Sequence, residues 1–428
     1  MRLYKIELYK ICSKKMFIYS ALASLAILLL YFWSYVISTE STINGVKYTG
    51  YQAVRMDRGI TEEFKGALTD QKVAQIIEKY GFPSGVEEFS NVFTDRNYLN
   101  DFIMNGFSDG YFHDFEDYRV GTCTYPIAET ELGKASAMTG KALLLEYSYG
   151  WKAFTEVLQT GCILGIALTL IALSPVFSGE NSVNTRQILF TTKEGPAKDI
   201  LVKIAAGITV AAGIYAVILL LVLVLSWSVF GLDGLNCFYG QVMQGEPYIS
   251  DWNEYHNATT DYMREFLCYY VLSCFLAMAE TGAVSLYFSA HCKSSLQSVV
   301  AVIISILLPL LLFILRQDQN SIFVIMNVFP LILLGIALMS FVPEFSNKGY
   351  SCIAKTVCCA LPAAMGYFLR YRFLFYVSLP IWLIMEGMYW DISIWREIYP
   401  WMLSAVVGFA AVSSVIFLVC SWRKYKCS

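Results

Sequence analysis

The sequence predicts an all-α polytopic membrane protein with six core transmembrane helices, or eight, and an α-rich or mixed external domain between the first two spans. Hydrophobic residues make up 57% of the 428 residues and charged residues only 15%, against about 25% charged in a soluble domain. The charges are clustered, and the longest uncharged stretches run for 22 residues or more. Roughly 20 apolar residues cross the hydrocarbon core as a helix. Because backbone groups in lipid must satisfy their own hydrogen bonds, these stretches are predicted to be helices.

The apolar stretches, of which one is interrupted by Glu280, place six spans directly, at 16–38, 156–177, 203–230, 264–290, 295–315 and 400–421. The remaining transmembrane region, 203–428, is expected to include an external loop at 231–262 and membrane-embedded or re-entrant segments within 319–390. Two alternatives stay open for these segments. Either 319–342 and 373–389 both cross, which gives eight spans, or both enter from outside and return, which gives six. Basic residues between them favour eight spans.

Charge bias predicts which side each segment occupies. Residues 1–15, an expected amphipathic helix, carry a net charge of +4, and the C-terminal tail carries +3. Residues 38–155 carry −6, and 231–262 carry −5. Lys and Arg next to span ends favour the cytoplasmic side. Both termini are therefore predicted to be cytoplasmic, in a multi-pass protein of the plasma membrane. The first apolar run is too long and too aromatic for a cleaved signal peptide and is expected to stay as an anchor.

Residues 39–155 are predicted to form an extracellular domain. Val73, Ile76 and Ile77 recur at helical spacing and predict a helix over 69–80. A second helix is expected over 141–158, leading continuously into the second span at 156–177. Aromatic side chains at its start are expected to form an interfacial belt: Tyr147, Tyr149 and Trp151. Cys123 and Cys237 both lie in segments placed outside and could pair.

The segment 178–202, between the second and third spans, is polar and is predicted to be cytoplasmic. Asn184 to Phe190 has the pattern of a short helix, and Gly195-Pro196 ends it. A partner protein could bind such a helix on the membrane surface and move it. An ordinary solvated loop accounts for the same composition equally well.

Several motifs, in this order and spacing, resemble those of the ABC type-2 permease family. Phe177-Ser-x-Glu180, Asn184-Thr185, Ile188-Leu189, Thr191-Thr-Lys193-x-Gly195, Lys198 and Lys203 resemble the coupling segment of that family. Glu7-Leu-Tyr-Lys10-Ile with Lys14 and Lys15 resembles its N-terminal helix, and Trp422-Arg-Lys-Tyr-Lys fits its tail. The chain departs from the family where Asn184 replaces the usual glycine and where Pro196 replaces a residue that is often basic. The resemblance favours six spans.

The resemblance implies the permease subunit of an ABC-type exporter, which moves a peptide, antibiotic, lipid or similar substrate. Its implied partners are a separate ATP-binding-cassette ATPase subunit that holds ATP and Mg, a second permease copy or paralogue, and membrane lipid. No nucleic-acid partner is expected. The implied ATPase-coupling residues are Glu180, Asn184, Thr185, Ile188, Leu189, Phe190, Lys193, Gly195 and Lys198.

The chain itself is predicted to have no enzymatic activity and to bind no cofactor. It contains no Gly-x-x-x-x-Gly-Lys-Ser/Thr motif to hold ATP phosphates. Its three histidines are far apart, which argues against a metal site or a catalytic triad. The first rival hypothesis is an ABC-associated membrane sensor or immunity protein, which binds an extracellular ligand without transporting it. A membrane enzyme would need convergent catalytic residues, and the sequence shows none.

One charged residue, Glu280, lies near the middle of the fourth span. A carboxylate in lipid costs at least about 2.5–3.5 kcal/mol, so it should face an interior or be paired. Two interpretations have similar weight. Glu280 belongs to a translocation path or permease–permease interface, or it makes a local hydrogen bond to Thr281, Ser285 or a neighbouring helix.

Overall fold

The computed structural model describes residues 2–43, 46–80, 98–99, 102–103, 107, 112–114, 119–120, 125–183, 195–243, 261–304 and 402–427. This part of the chain is mostly helical. Four of its helices are long and apolar enough to cross a membrane: Lys15–Ile37, Tyr149–Ser182, Ala197–Val229 and Met263–His291. That is the architecture of a helical membrane protein. The choice between six and eight spans depends on residues 316–399, which lie outside the described ranges.

The helices are α1 (Arg2–Cys12), α2 (Lys15–Ile37), α3 (Tyr51–Glu63), α4 (Asp70–Tyr80), α5 (Glu131–Thr139), α6 (Tyr149–Leu173), α7 (Pro175–Ser182), α8 (Gly195–Val229), α9 (Tyr239–Met243), α10 (Met263–His291), α11 (Ser295–Ile304) and α12 (Met402–Cys427). The strands are β1 (Glu40–Ile43), β2 (Val46–Thr49), β3 (Gly66–Ala67), β4 (Phe112–Asp114), β5 (Arg119–Val120) and β6 (Leu144–Leu145). They form three antiparallel pairs, β1–β2, β3–β6 and β4–β5.

Helix α6 is central in the described bundle and packs against α2, α8 and α10, while α12 packs against α10. Gly161 and Gly165, one turn apart on α6, allow α8 to approach closely. A Cβ atom at Gly161 would lie 2.6 Å from the side chain of Ile218, and one at Gly165 would lie 2.8 Å from the same side chain. Small residues four apart are typical of close helix contacts in membranes.

Residues 39–148, called the inserted region below, connect α2 to α6. Its described helices have one apolar face each, and α3 buries Val54 and Ile60 while α4 buries Val73 and Ile76. The predicted helix over 69–80 matches α4. Strand β3 pairs with β6, so that Gly66 lies opposite Leu145. The inserted region thus closes on itself just before α6 begins.

The predicted continuous helix over 141–158 is wrong in its first part. Leu144–Leu145 is a strand paired with Gly66–Ala67, and the helix begins only at Tyr149. The physical reason is that pairing with β3 satisfies backbone groups that a helix would otherwise satisfy. At its other end, the predicted second span continues past a junction at Ser174 into α7.

The aromatic residues at the start of α6 are not a lipid-facing belt. Tyr147, Tyr149 and Trp151 are all buried inside the protein. Tyr149 contacts Tyr35 of α2, with ring centroids 6.3 Å apart, and Phe230 after α8, with centroids 5.7 Å apart. We call Phe32, Tyr35, Tyr149 and Phe230 the aromatic cluster. It joins three helices at the end of the bundle next to the inserted region.

Candidate functional site

The most concentrated group of charges in the described bundle lies at the end opposite the inserted region. The Lys203 ammonium lies 2.7 Å from Glu180 Oε2 and 2.5 Å from Asp199 Oδ2. The Lys203 side chain is 1% exposed, and its two partners are 18% and 16% exposed. Buried charges of this kind require partners. Lys203 and Asp199 are one helical turn apart on α8, whereas Glu180 belongs to α7.

The C-terminal helix joins this group through Tyr425. The Tyr425 hydroxyl donates a hydrogen bond of 2.9 Å to Glu180 Oε2, across a separation of 245 residues in the chain. The Tyr425 ring is fully buried, and its centroid lies 4.6 Å from that of Phe177. We call Glu180, Asp199, Lys203 and Tyr425 the ionic cluster. It fixes α7, α8 and α12 to one another.

Serine hydroxyls fix α7 to the end of α10. The backbone N–H groups of Phe177 and Ser178 donate to Ser289 Oγ at 2.9 and 3.1 Å. Ser289 Oγ in turn donates to the carbonyl oxygen of Ser174 at 2.6 Å. These bonds satisfy N–H groups at the start of a helix, which have no partner within it. The short helix α7 is therefore held on two sides, by α10 and by the ionic cluster.

The N-terminal helix lies in the electric field of the ionic cluster. Its Lys10 ammonium donates a 2.5 Å hydrogen bond to Glu7, whose side chain is 5% exposed. Burial opposes the charged form of Lys10, but this hydrogen bond and the nearby carboxylates of Glu180 and Asp199 raise its pKa. Tyr4 adds a direct tether, because its hydroxyl donates to Thr209 Oγ1 of α8 at 2.7 Å. Both terminal helices thus reach the same end of the bundle.

Three of the sequence-predicted coupling residues lie within the described ranges. Glu180 is a member of the ionic cluster, Gly195 is the first residue of α8, and Lys198 is exposed on the first turns of α8. The other predicted coupling residues lie outside the described ranges: Asn184, Thr185, Ile188, Leu189, Phe190 and Lys193. Pro196 occupies the first turn of α8, where a missing N–H has no cost.

Sequence reasoning did not assign Asp199 or Tyr425 to the site, and it included Lys203 in the coupling-segment motif but not among the coupling residues. A local signal existed for Asp199 and Lys203, because an acidic residue four positions before a lysine is a favourable pair on one helical face. No local signal could have identified Tyr425, whose partner Glu180 is distant in sequence. Only the packing of α12 against the bundle brings the two together.

Glu280 faces a neighbouring helix. Its side chain is buried, and Ser413 Oγ of α12 donates a 3.0 Å hydrogen bond to Glu280 Oε1. Thr281, an alternative partner considered above, donates instead to the carbonyl oxygen of Ala277 at 2.8 Å. Glu280 Oε2 has no hydrogen-bond partner among the described residues. The carboxyl group therefore lies in the α10–α12 contact.

No family model, no curated protein and no solved structure matches this chain. Within the part of the chain that the structure describes, no group of three or more His, Cys, Asp or Glu side chains could hold a metal ion. The described site therefore consists of buried charged groups and hydroxyl groups that bond helices to one another.

Proposed function

We propose that this chain is the permease subunit of an ABC-type exporter, driven by a separate ATPase subunit. The observation that carries the proposal is the position of the ionic cluster. Helix α7 ends at Ser182 and α8 begins at Gly195, and Glu180 of α7 and Lys203 of α8 are bonded to each other. Any movement imposed on residues 184–194 by a partner would act on these two helices together.

The contacts of the ionic cluster extend that movement to the rest of the bundle. Tyr425 connects the cluster to α12, and Ser289 connects α7 to α10. The Tyr4–Thr209 hydrogen bond connects α1 to α8. A partner that binds ATP and closes would thus bias helices that alternate between two arrangements, as allosteric coupling requires. The substrate and the plasma-membrane location belong to the same proposal.

The test is a gentle detergent pull-down of the tagged chain from its native membrane, followed by mass spectrometry. We expect a stoichiometric partner that carries a Walker A motif. The double change Leu189→Asp and Phe190→Asp should release it, because charges at the docking surface oppose apolar contact. The matched control is Val46→Asp with Tyr51→Asp, two exposed positions of the inserted region, which should retain the partner. A clean preparation without any ATPase would contradict the proposal.

A sensor that pairs with an ATPase but transports nothing is the second candidate. The observation that favours it is the contact of Tyr147 of the inserted region with Tyr149 of the aromatic cluster, with ring centroids 6.4 Å apart, which connects the inserted region to the ends of α2, α6 and α8. Reconstitution of the complex in vesicles separates the two functions. Stimulation of ATP hydrolysis by an external ligand, without movement of that ligand across the membrane, would establish the sensor.

A further inference from the structure

A cavity of about 600 Å³ opens on the side of the bundle, between α1, α2, α6 and α8. Its floor is buried and includes Leu28 and Val210, which are 3% and 6% exposed. Its rim is exposed at Leu22 and Val217, which are 58% and 66% exposed. Because α2, α6 and α8 are long and apolar enough to span a membrane, we infer that the open side of the cavity faces the lipid. Ligand sites in proteins have volumes of this order.

The depth of the cavity matches one leaflet of a bilayer. On α2 its lining extends from Phe17 to Leu28, a rise of about 16 Å at 1.5 Å per residue. The hydrocarbon core of a bilayer is about 30 Å thick. The cavity begins next to α1, whose Leu8 and Cys12 form its end wall, and it stops near the middle of α2. It therefore extends from one membrane surface to the midplane.

The residues that line the cavity favour an apolar ligand. Nearly all of the lining is Leu, Ile, Val, Phe, Ala and Gly side chains. The hydroxyl of Thr209, one of the few polar groups there, is already bonded: it accepts from Tyr4 and donates to the carbonyl oxygen of Ala205 at 2.8 Å. A polar ligand would leave its own groups without partners, which is costly in an apolar site. A hydrocarbon chain would have no such cost.

Positive charge lies at the end of the cavity near the membrane surface. Lys5 is one turn before Leu8 on α1, and Lys15 is the residue with which α2 begins. Both lysines are exposed. Among the described residues, neither forms a salt bridge, in contrast to Lys10, which is bonded to Glu7. Basic side chains at this level attract anionic lipid head groups.

We propose that this cavity is a binding site for an anionic phospholipid. One acyl chain lies in the groove between α2, α6 and α8, and the phosphate lies against Lys5 and Lys15. The N-terminal helix, tethered by the Tyr4–Thr209 hydrogen bond, holds the lipid head group above the acyl chain. The lipid fills a gap beside the Gly161–Gly165 contact and so supports the packing of α2 on the bundle.

The test uses the full chain in nanodiscs of phosphatidylcholine, with and without phosphatidylglycerol. Lipid that stays bound after gentle detergent extraction is counted by native mass spectrometry. We expect the wild-type chain to retain phosphatidylglycerol in preference to phosphatidylcholine. Gly213→Leu should abolish retention, because Gly213 lines the cavity and a Cβ atom there meets no described atom within 4 Å, so that the added side chain projects into open space.

The matched control is Gly408→Leu on α12, where a Cβ atom likewise meets no described atom within 4 Å and which does not line the cavity. It should retain lipid as the wild type does. Lys5→Gln and Lys15→Gln should each lower the preference for phosphatidylglycerol about fivefold without changing the retention of phosphatidylcholine. Circular dichroism and elution volume check that each variant is folded.

Equal lipid retention by the wild type and by folded Gly213→Leu would overturn the proposal, because the bound lipid would then lie elsewhere. The absence of retention by either protein would also overturn it. If retention is equal and Gly213→Leu in addition dissociates a dimer of the chain, the occupant of the cavity is a second copy.

Discussion

The two ends of the bundle are joined by different forces. Next to the inserted region, α2, α6 and α8 meet through the aromatic cluster and through backbone contact, since a Cβ atom at Gly150 would lie 1.9 Å from the carbonyl oxygen of Gly231. At the opposite end, α7, α8 and α12 meet through the charges and the hydroxyl of the ionic cluster. Close packing allows one arrangement only. Charged groups can exchange partners, so the ionic end is the one suited to respond to another protein.

The largest expected effect is at the ionic end. Lys203→Met removes the cation to which the carboxylates of Glu180 and Asp199 are both bonded, and leaves the two carboxylates close together. Breaking a buried pair costs about 3–5 kcal/mol, and we expect the lower part of that range because both carboxylates keep some access to water. The measurement is thermal unfolding of the purified chain in detergent.

The matched control for this change is Lys79→Met, which removes the exposed Lys79–Glu63 pair of the inserted region. It should leave the melting temperature unchanged, because exposed ion pairs contribute little. Equal effects of the two substitutions would remove the distinction between a buried ionic cluster and an ordinary surface pair.

The next effect tests the packed end. Gly150→Ala places a methyl group against the Gly231 carbonyl, and the backbone must move apart at a cost of about 1–3 kcal/mol. Gly59→Ala in α3, where a side chain meets no atom within 4 Å, should instead stabilise the protein by about 0.5–1 kcal/mol. Thermal unfolding shows whether each substitution lowers or raises the stability of the protein. A stable Gly150→Ala protein would show that this end can rearrange.

A smaller effect is expected for a buried polar contact between the inserted region and α9. The Gln241 amide donates to the Tyr98 hydroxyl at 3.1 Å and to the carbonyl oxygen of Leu144 at 2.6 Å. Tyr98→Phe removes the first bond only and should cost about 0.5–1.5 kcal/mol in the free energy of unfolding. Tyr51→Phe, at an exposed tyrosine, serves as the control and should have no effect.

The smallest effect is a pH dependence on the surface of the inserted region. Hydrogen bonds from the Lys79 ammonium and the Tyr80 hydroxyl hold the pKa of Glu63 below its ordinary value of 4.5. The contribution of Glu63 to stability is therefore complete above pH 4.5 and is lost as the pH falls through the lower, folded-state pKa. Melting temperatures of the wild type and Glu63→Gln should differ slightly at neutral pH and converge in acid. A difference that grows in acid would contradict the assignment.

Prediction from the sequence succeeded where the signal is local. The apolar runs at 16–38 and 264–290 correspond closely to α2 and α10, because an apolar run of sufficient length has few alternatives to a helix in lipid. Prediction failed at Leu144–Leu145, where a distant strand supplies the hydrogen bonds. It also failed at Tyr149, whose ring packs against α2 and the end of α8 instead of facing lipid head groups.

The sequence by itself determined the class of this protein and the approximate position of its long helices, since hydrophobicity and charge spacing act over single segments. It also indicated Glu280 as a charge that needs an explanation, and the family resemblance indicated Glu180 as a coupling residue. Only the tertiary structure decided their partners. Glu180 is bonded to Lys203 and Tyr425, and Glu280 is bonded to Ser413. Those partners come from helices that are remote in the chain. Their meeting depends on how several helices pack at once, which no local pattern encodes.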